Sequence, residues 1–255
     1  MAGKITEQAI HEAITRSHVY RLLSAALLYP NDAFPSGITK ESISELRPIL
    51  PALLDGDGAQ EALTAMASHD LSLDALQGQY RQIFGHTISQ ECPPYETEYG
   101  SAHVFQQAQR LGDIAGFYRA FGVEVSDRAK ERLDHIAVEL EFMSFLTLKE
   151  AYALTHHGEE KASICRDAQR KFLEEHLGCW APLFAQLLSR KASDGFYRSV
   201  GSSLEAFITA ECRRIAVNPA QFHEGDVRPI PQEPEGGCFS CGMDDLCAVE
   251  PREED

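Results

Sequence analysis

The stretch Asp127–His156 reads DRAKERLDHIAVELEFMSFLTLKEAYALTH and has the most regular helical pattern in the chain. Its apolar side chains recur every three or four residues, which is the spacing of one helix face. A second apolar stripe runs beside the first, so a helix here is apolar on more than one side (Leu133, Ile136, Leu140 and Met143, then Val138, Phe142, Phe145 and Leu146). A helix of this kind is buried at the centre of a domain. We expect Ser126 or Asp127 to cap it.

The chain on both sides of this stretch shows the same periodicity. Upstream it predicts helices at about 6–29, 59–68, 71–85 and 101–121, and downstream at about 159–177, 180–190 and 196–217. No stretch shows the strict alternation of a half-buried strand. The sequence therefore predicts an all-α fold, a compact helical bundle.

The composition changes beyond Asn218. Five of the twelve prolines lie between Pro219 and Pro251, and 224–255 contains ten acidic residues and two arginines. That segment carries −8 of the formal net charge of −16. Apolar periodicity is also lost, and such a composition does not favour a packed core. We expect a helical domain over 1–217 and an irregular, acidic, Pro/Cys-rich tail over 218–255.

The totals argue against several classes of protein. The charge of −16 argues against nucleic acid as a partner and favours a cationic one. No apolar run reaches the roughly 18 residues of a membrane span, and no secretion signal is visible, so we expect a cytoplasmic location. The motifs of nucleotide-binding loops, zinc proteases and serine hydrolases are absent. We therefore expect a binding protein and not an enzyme.

The segment Glu91–Gly100, ECPPYETEYG, interrupts the helical pattern, and we call it the proline loop. Its two consecutive prolines remove backbone donors and favour extended geometry. Two interpretations stay open for its acidic residues. Glu96 could cap the following helix. Alternatively Glu96, together with Glu91 or Glu98, could bind a guanidinium, because arginine–carboxylate pairs are charge-assisted and bidentate.

The run Glu131–His135, ERLDH, lies inside the predicted central helix. One interpretation is a solvated helix face, and another is a binding site that uses Asp134 and His135. A di-metal carboxylate site needs paired Glu-x-x-His motifs, which the sequence lacks. Asp134 interrupts the apolar pattern, so we expect it at the edge of the core with a polar partner.

Three clustered cysteines in the tail, Cys238, Cys241 and Cys247, have spacing compatible with Zn²⁺ or an iron–sulfur centre. His223 or Cys212 could supply a fourth ligand. A redox-active thiol cluster and no function at all are the other interpretations. The metal interpretation implies an alternative function, a metal-dependent sensor or metal-transfer protein. Four isolated cysteines are expected to be buried as small apolar side chains (Cys92, Cys165, Cys179 and Cys212).

Three elements together resemble a known family. They are YRQIF at Tyr80–Phe84, PPYE at Pro93–Glu96, and DHI at Asp134–Ile136 followed by LEFM at Leu140–Met143. Over roughly His18–Cys212 the chain resembles the TorD/DmsD/NarJ family of cytoplasmic chaperones. The resemblance implies an all-helical protein that binds the twin-arginine leader or N-terminal region of a molybdoenzyme catalytic subunit of the DMSO-reductase superfamily. Such a chaperone holds this subunit until the molybdopterin cofactor is inserted, before export or assembly.

The resemblance also implies that the three elements converge on one groove for the leader. Its residues would be Tyr80 and Phe84 as lining, Pro94, Tyr95 and Glu96 as shaping residues, and Asp134 and His135 as contacts. Lysine at Glu96 or Asp134 is then expected to weaken leader binding with little change in melting temperature. The family often has proline where Leu133 stands, so we expect the helix to run unbroken through Asp134. No cofactor is expected to be required, and the resemblance allows a monomer or a homodimer.

Overall fold

The computed structural model describes residues 2–31, 64–66, 72–85, 91–100, 104–126, 131–192 and 195–227. Every regular element within these ranges is helical, which confirms the predicted all-α class. The principal helices are α1 (Ala2–Ala26), α2 (Leu73–Phe84), α3 (Val104–Ala120), α4 (Ile136–His156), α5 (Glu159–Phe172), α6 (Gly178–Ala192) and α7 (Gly195–Arg214). No helix among these described residues is long and apolar enough to cross a membrane.

Helix α4 lies at the centre of the bundle, as its two apolar stripes predict. It packs against α1 on one side and α5 on another, while α6 packs against α7. Its start differs from the prediction, because α4 begins at Ile136 and Ser126 lies outside it and exposed. The expected cap at Ser126 is therefore wrong, and Asp127 lies outside the described residues.

A buried ionic network ties α1 to α4, α5 and α7. The guanidinium of Arg16 donates from Nε to both oxygens of Glu211 at 2.9 Å, and from Nη2 to Glu211 Oε2 at 2.7 Å. It also reaches Gln169 at 2.7 Å and Glu150 at 3.4 Å, and the hydroxyl of Tyr20 donates to Glu211 at 2.9 Å. Because buried charges are tolerated only when they are paired and hydrogen-bonded, this network fixes how the helices assemble.

A π-helical turn, Leu173–Leu177, joins α5 to α6 and carries His176. The turn requires glycine at position 178. A Cβ there would lie 2.3 Å from the carbonyl oxygen of Leu173 and 2.6 Å from Cγ of Pro219. Single π turns inside helices often occur at functional positions, and this one points His176 into the interior, where it is buried.

The first ten residues of the predicted tail pack against the helical body. The amide of Phe222 donates to the carbonyl oxygen of Cys179 at 3.0 Å, and that of Gly100 donates to the carbonyl oxygen of Asp226 at 2.7 Å. Val227 then pairs with Tyr99 in an isolated bridge. The division of the chain at 217/218 stays a prediction, but residues 218–227 contact the proline loop directly.

The predicted core is confirmed at its most specific positions. Trp180 is fully buried, next to Phe184 and Tyr99. The four isolated cysteines are buried, as expected for small apolar side chains (Cys92, Cys165, Cys179 and Cys212).

Candidate functional site

The proline loop lies against the residues that precede α4. An isolated antiparallel bridge pairs Tyr95 with His135. Within it, the amide of Glu96 donates a hydrogen bond of 2.9 Å to the carbonyl oxygen of Asp134. The second and third sequence elements are therefore in direct contact, although a long stretch of chain separates them.

His135 caps α4. Its backbone is extended (φ −73°, ψ 137°), and its Nδ1 accepts a hydrogen bond from the amide of Ala137 at 3.1 Å. The expectation that the helix runs unbroken through Asp134 is therefore wrong. Leu133 can adopt a helical conformation, but the carbonyl group of Asp134 is already bonded to the proline loop. Pairing with the loop, and not a proline, therefore sets the N-terminal limit of α4.

The capping histidine is neutral at physiological pH. Burial, reinforced by the nearby positive charge of Arg132, lowers the pKa of His135 to about 4. Because Nδ1 accepts a hydrogen bond, the neutral ring carries its proton on Nε2. That nitrogen lies 3.9 Å from Oε2 of Glu131. His135 therefore presents a neutral N–H to the Glu131 carboxylate.

The carboxylate of Asp134 is buried and bonded at both oxygens. Arg132 donates to it from Nε at 3.0 Å and from Nη2 at 2.9 Å, and Thr97 donates from its hydroxyl at 2.7 Å and its amide at 3.2 Å. The guanidinium of Arg132 also lies 4.4 Å from the ring centroid of Tyr95 and 3.4 Å from Glu98. In this conformation Asp134 holds the proline loop, and a second molecule cannot reach its oxygens.

Glu96 is also fully buried. Nδ1 of His176 lies 3.1 Å and 3.2 Å from its two oxygens, and Nη1 of Arg110 lies 3.6 Å from Oε1. Burial, followed by the charge of Glu96, raises the pKa of Glu139 well above the ordinary range. Oε2 of Glu139 accepts from Nε1 of Trp180 at 3.0 Å, while its buried Oε1 has no hydrogen-bond partner among the described residues. Glu96 thus joins the proline loop to α3 and the π turn.

The two aromatic residues at the end of α2 have different surroundings. Phe84 is a core residue, with its ring centroid 6.4 Å from Phe184 and 6.2 Å from Tyr197. Tyr80 lies beside Phe84 at 4.6 Å and meets Tyr29 edge-on at 5.3 Å. Tyr29 is 42% exposed, so Tyr80 stands where the core reaches the surface.

Tyr29, Tyr80, Tyr95 and Glu131 form a patch that we call the tyrosine–glutamate surface. Burial, and then the negative charge of the nearby Glu131, raises the pKa of the Tyr95 hydroxyl. Burial, and then the proximity of Glu131 and Tyr95, raises the pKa of Tyr80. Glu131 keeps 21% of its side chain exposed. Here α2, the proline loop and the start of α4 meet.

A family profile described as "Nitrate reductase delta subunit" matches residues 51–186, more than half of the chain. The chain belongs to this family. It is 30% identical over 208 residues to the perchlorate reductase assembly chaperone protein of Dechloromonas aromatica (strain RCB), which covers 80% of this chain and 91% of the relative. It is 24% identical over 202 residues to the chaperone protein TorD of Vibrio cholerae serotype O1, covering 76% of this chain and 88% of TorD.

A third relative, the selenate reductase assembly chaperone protein of Thauera selenatis, is 33% identical over 114 residues, covering 45% of this chain and 57% of the relative. These names confirm the predicted resemblance to TorD and its relatives. The nitrate reductase delta subunit family includes proteins named as assembly chaperones, and this member is a maturation chaperone and not an enzyme.

The structure gathers the predicted leader-binding residues in one region but buries most of them. Only Tyr95 is partly exposed, and the other six are buried (Tyr80, Phe84, Pro94, Glu96, Asp134 and His135). Their part in leader binding stays a prediction. The burial of Glu96 and Asp134 argues against the expectation that lysine there leaves the melting temperature nearly unchanged, and that expectation stays a prediction. Each lysine would be a buried cation beside an existing arginine.

Cys238, Cys241 and Cys247 lie outside the described residues, so the metal site in the tail stays a prediction. Of the two suggested fourth ligands, Cys212 is buried. His223 precedes the 3₁₀ turn Glu224–Asp226, where its amide donates to an oxygen of Asp226 at 2.7 Å. Across the ranges that the structure describes, no group of three or more His, Cys, Asp or Glu side chains could hold a metal ion.

Sequence reasoning missed Glu131, Arg132, Arg110 and His176. Glu131 and Arg132 begin the run that ends in Asp134 and His135, so their position offered a signal. Arg110 and His176 offered none, because each is placed by its contact with Glu96, far away in sequence.

Proposed function

We propose that this chaperone acts in the cytoplasm on the catalytic subunit of a molybdenum oxidoreductase of the DMSO-reductase superfamily. It binds the leader or N-terminal region of that subunit and holds the subunit for molybdopterin insertion, before export or assembly. Relatives of the chain are named as assembly chaperones of perchlorate, selenate and chlorate reductases, which supports an oxidoreductase as the partner.

The observation that carries the proposal is the meeting of three elements at the tyrosine–glutamate surface. Tyr80 comes from α2, Tyr95 from the proline loop, and Glu131 from the segment before α4. A twin-arginine leader combines cationic side chains with an apolar stretch. Tyrosine rings accept both apolar groups and guanidinium planes, and a carboxylate accepts the charge. A net charge of −16 also favours encounter with a cationic segment.

A single chain contributes all of these residues, so a monomer is sufficient for binding and a homodimer would present two equivalent surfaces.

The proposal is tested by purifying an affinity-tagged copy of the chain from its native cells under anaerobic conditions. We expect a molybdopterin-containing oxidoreductase catalytic subunit to co-purify, and mass spectrometry identifies it. Calorimetry then measures binding of a synthetic peptide with the N-terminal sequence of that subunit. A scrambled peptide of the same composition is the control. Absence of such a subunit, together with equal binding of the two peptides, would contradict the proposal.

A further inference from the structure

Four carboxylates near the meeting point of the three elements could receive an arginine of a bound peptide: Glu96, Glu98, Glu131 and Asp134. Two of them are already engaged inside the protein. Glu96 is fully buried and bonded to His176, and Asp134 is fully buried and bonded to Arg132 and Thr97. A peptide guanidinium could reach either one only by breaking these contacts, and the freed buried charges would make that costly.

Glu98 already has a cationic partner. Its Oε1 lies 3.4 Å from Nη1 of Arg132, whose side chain is 39% exposed. The same guanidinium is held by Asp134 and lies over one face of Tyr95. An incoming arginine at this position would meet a like charge.

Glu131 has none of these restrictions. Its side chain is 21% exposed, and in the described part of the chain no lysine or arginine nitrogen lies within 4.0 Å of its carboxylate. Nε2 of the neutral His135 lies 3.9 Å from Oε2 of Glu131, and the ring of Tyr95 packs 5.2 Å from the ring of that histidine. Burial raises the pKa of Glu131, as expected for a carboxylate that is partly desolvated without a cation to compensate it.

The surroundings of Glu131 suit a planar cation. Tyr80 lies close to Glu131 and Tyr95, and Tyr29 extends the aromatic surface outward from Tyr80. A guanidinium can pair with a carboxylate in its plane while its faces lie on aromatic rings, and lysine lacks this planar geometry.

Resting on the proposed function, we infer that Glu131 is the carboxylate that binds an arginine of the leader, with Tyr80 and Tyr95 beside the guanidinium. Asp134 and Glu96 position the surface and do not contact the arginine. The carboxylate that recognises the arginine charge is then the partly exposed Glu131, and not the buried Glu96 or Asp134.

The test uses two synthetic peptides and the full-length chain. The first peptide carries two adjacent arginines followed by about 12 apolar residues. The second replaces both arginines with citrulline, which keeps the shape and removes the charge. Calorimetry measures both peptides with the wild type, Glu131→Gln and Glu131→Asp. Glu141→Gln is the matched control, since Glu141 is exposed on α4 outside the tyrosine–glutamate surface.

We expect Glu131→Gln to bind the arginine peptide roughly tenfold more weakly, because a charge-assisted hydrogen bond is lost. The citrulline peptide should bind the wild type and Glu131→Gln equally, and Glu141→Gln should match the wild type. Glu131→Asp keeps the charge on a shorter side chain, so its affinity for the arginine peptide should lie between those of the wild type and Glu131→Gln. This variant also provides the test if Glu131→Gln does not fold.

Each other outcome overturns the inference. Wild-type affinity of Glu131→Gln for the arginine peptide would remove Glu131 from the contact and leave the proposed function intact. Equally weaker binding of both peptides to Glu131→Gln would show that Glu131 shapes the surface without recognising the arginine charge. If the wild type binds neither this arginine peptide nor the N-terminal peptide of a co-purified subunit, the inference and the proposed function both fail.

Discussion

The amide of Ile136 donates a hydrogen bond of 2.9 Å to the carbonyl oxygen of Pro94. The first residue of the central helix and the second proline of the proline loop are thereby joined. With the reciprocal bond from Glu96 to Asp134, the loop and the start of α4 form one structural unit. A change in either segment is therefore expected to disturb the other.

Asp134→Ala should lower the free energy of unfolding by about 2–3 kcal/mol, because it leaves the Thr97 donors and Arg132 without their acceptor. The value lies at the low end for a broken ion pair, since the half-exposed Arg132 can be hydrated again. Urea denaturation measures the change. Asp113→Ala, at an exposed position on α3, is the control and should change stability little. Equal stability of the two variants would show that Asp134 does not hold the loop.

His135→Ala should be less stable than His135→Asn by about 1 kcal/mol. Both variants lose the imidazole ring, which packs 5.2 Å from the ring of Tyr95. Only asparagine keeps a side-chain acceptor for the amide of Ala137, so the difference between the variants isolates the cap. Chemical denaturation gives both values. Identical values would mean that the Nδ1 contact does not stabilise α4.

The protonated Glu139 predicts a pH dependence of stability. Its pKa is higher in the folded chain than the ordinary value of 4.5, so above pH 4.5 the folded chain keeps a proton that the unfolded chain has released. The folded state then binds more protons, and the free energy of unfolding falls as pH rises, by at most about 1.4 kcal/mol per pH unit from this group.

Glu139→Gln imitates the uncharged form, since its oxygen can accept from Trp180 and its amide places no second negative charge beside Glu96. Relative to the wild type, the variant should gain stability as pH rises above 4.5, until Glu139 ionises in the folded chain. Denaturation midpoints at several pH values follow the difference between the two proteins. A difference independent of pH would show that Glu139 is ionised in the fold.

Arg16→Met should destabilise the chain by about 3 kcal/mol or more, because it leaves Glu211 and Glu150 as buried carboxylates without their shared cation. Arg21→Met is the matched control on the same helix, at an exposed position, and should change stability by less than about 0.5 kcal/mol. Guanidinium chloride would mask ionic effects, so urea is the denaturant of choice. Similar losses in the two variants would contradict a structural role for the network.

The sequence predicted the helices well because their apolar periodicity is local. The predicted helices at 71–85, 101–121 and 196–217 correspond to α2, α3 and α7 with small shifts at their ends. The start of α4 could not be predicted in the same way. Nothing within Asp127–His156 indicates that the carbonyl group of Asp134 bonds to Glu96, so local pattern alone extended the helix too far.

The candidate site was predicted in outline and not in detail. The three elements do meet, but which carboxylate faces outward depends on partners remote in sequence. Glu96 is buried because His176 and Arg110 reach it from α3 and the π turn, and Asp134 is buried beneath Thr97. Sequence spacing carries no information about such pairings. The sequence therefore predicted Glu96 and Asp134 as binding residues, although the fold buries both of them.

The bridge between Tyr99 and Val227 has a consequence for synthesis on the ribosome. The proline loop is held by α3, by the π turn and, through this bridge, by a residue near the end of the helical body. A nascent chain lacks the contact with Val227 until all seven of the described helices have been synthesised. The proline loop is therefore expected to gain its full set of contacts late in synthesis.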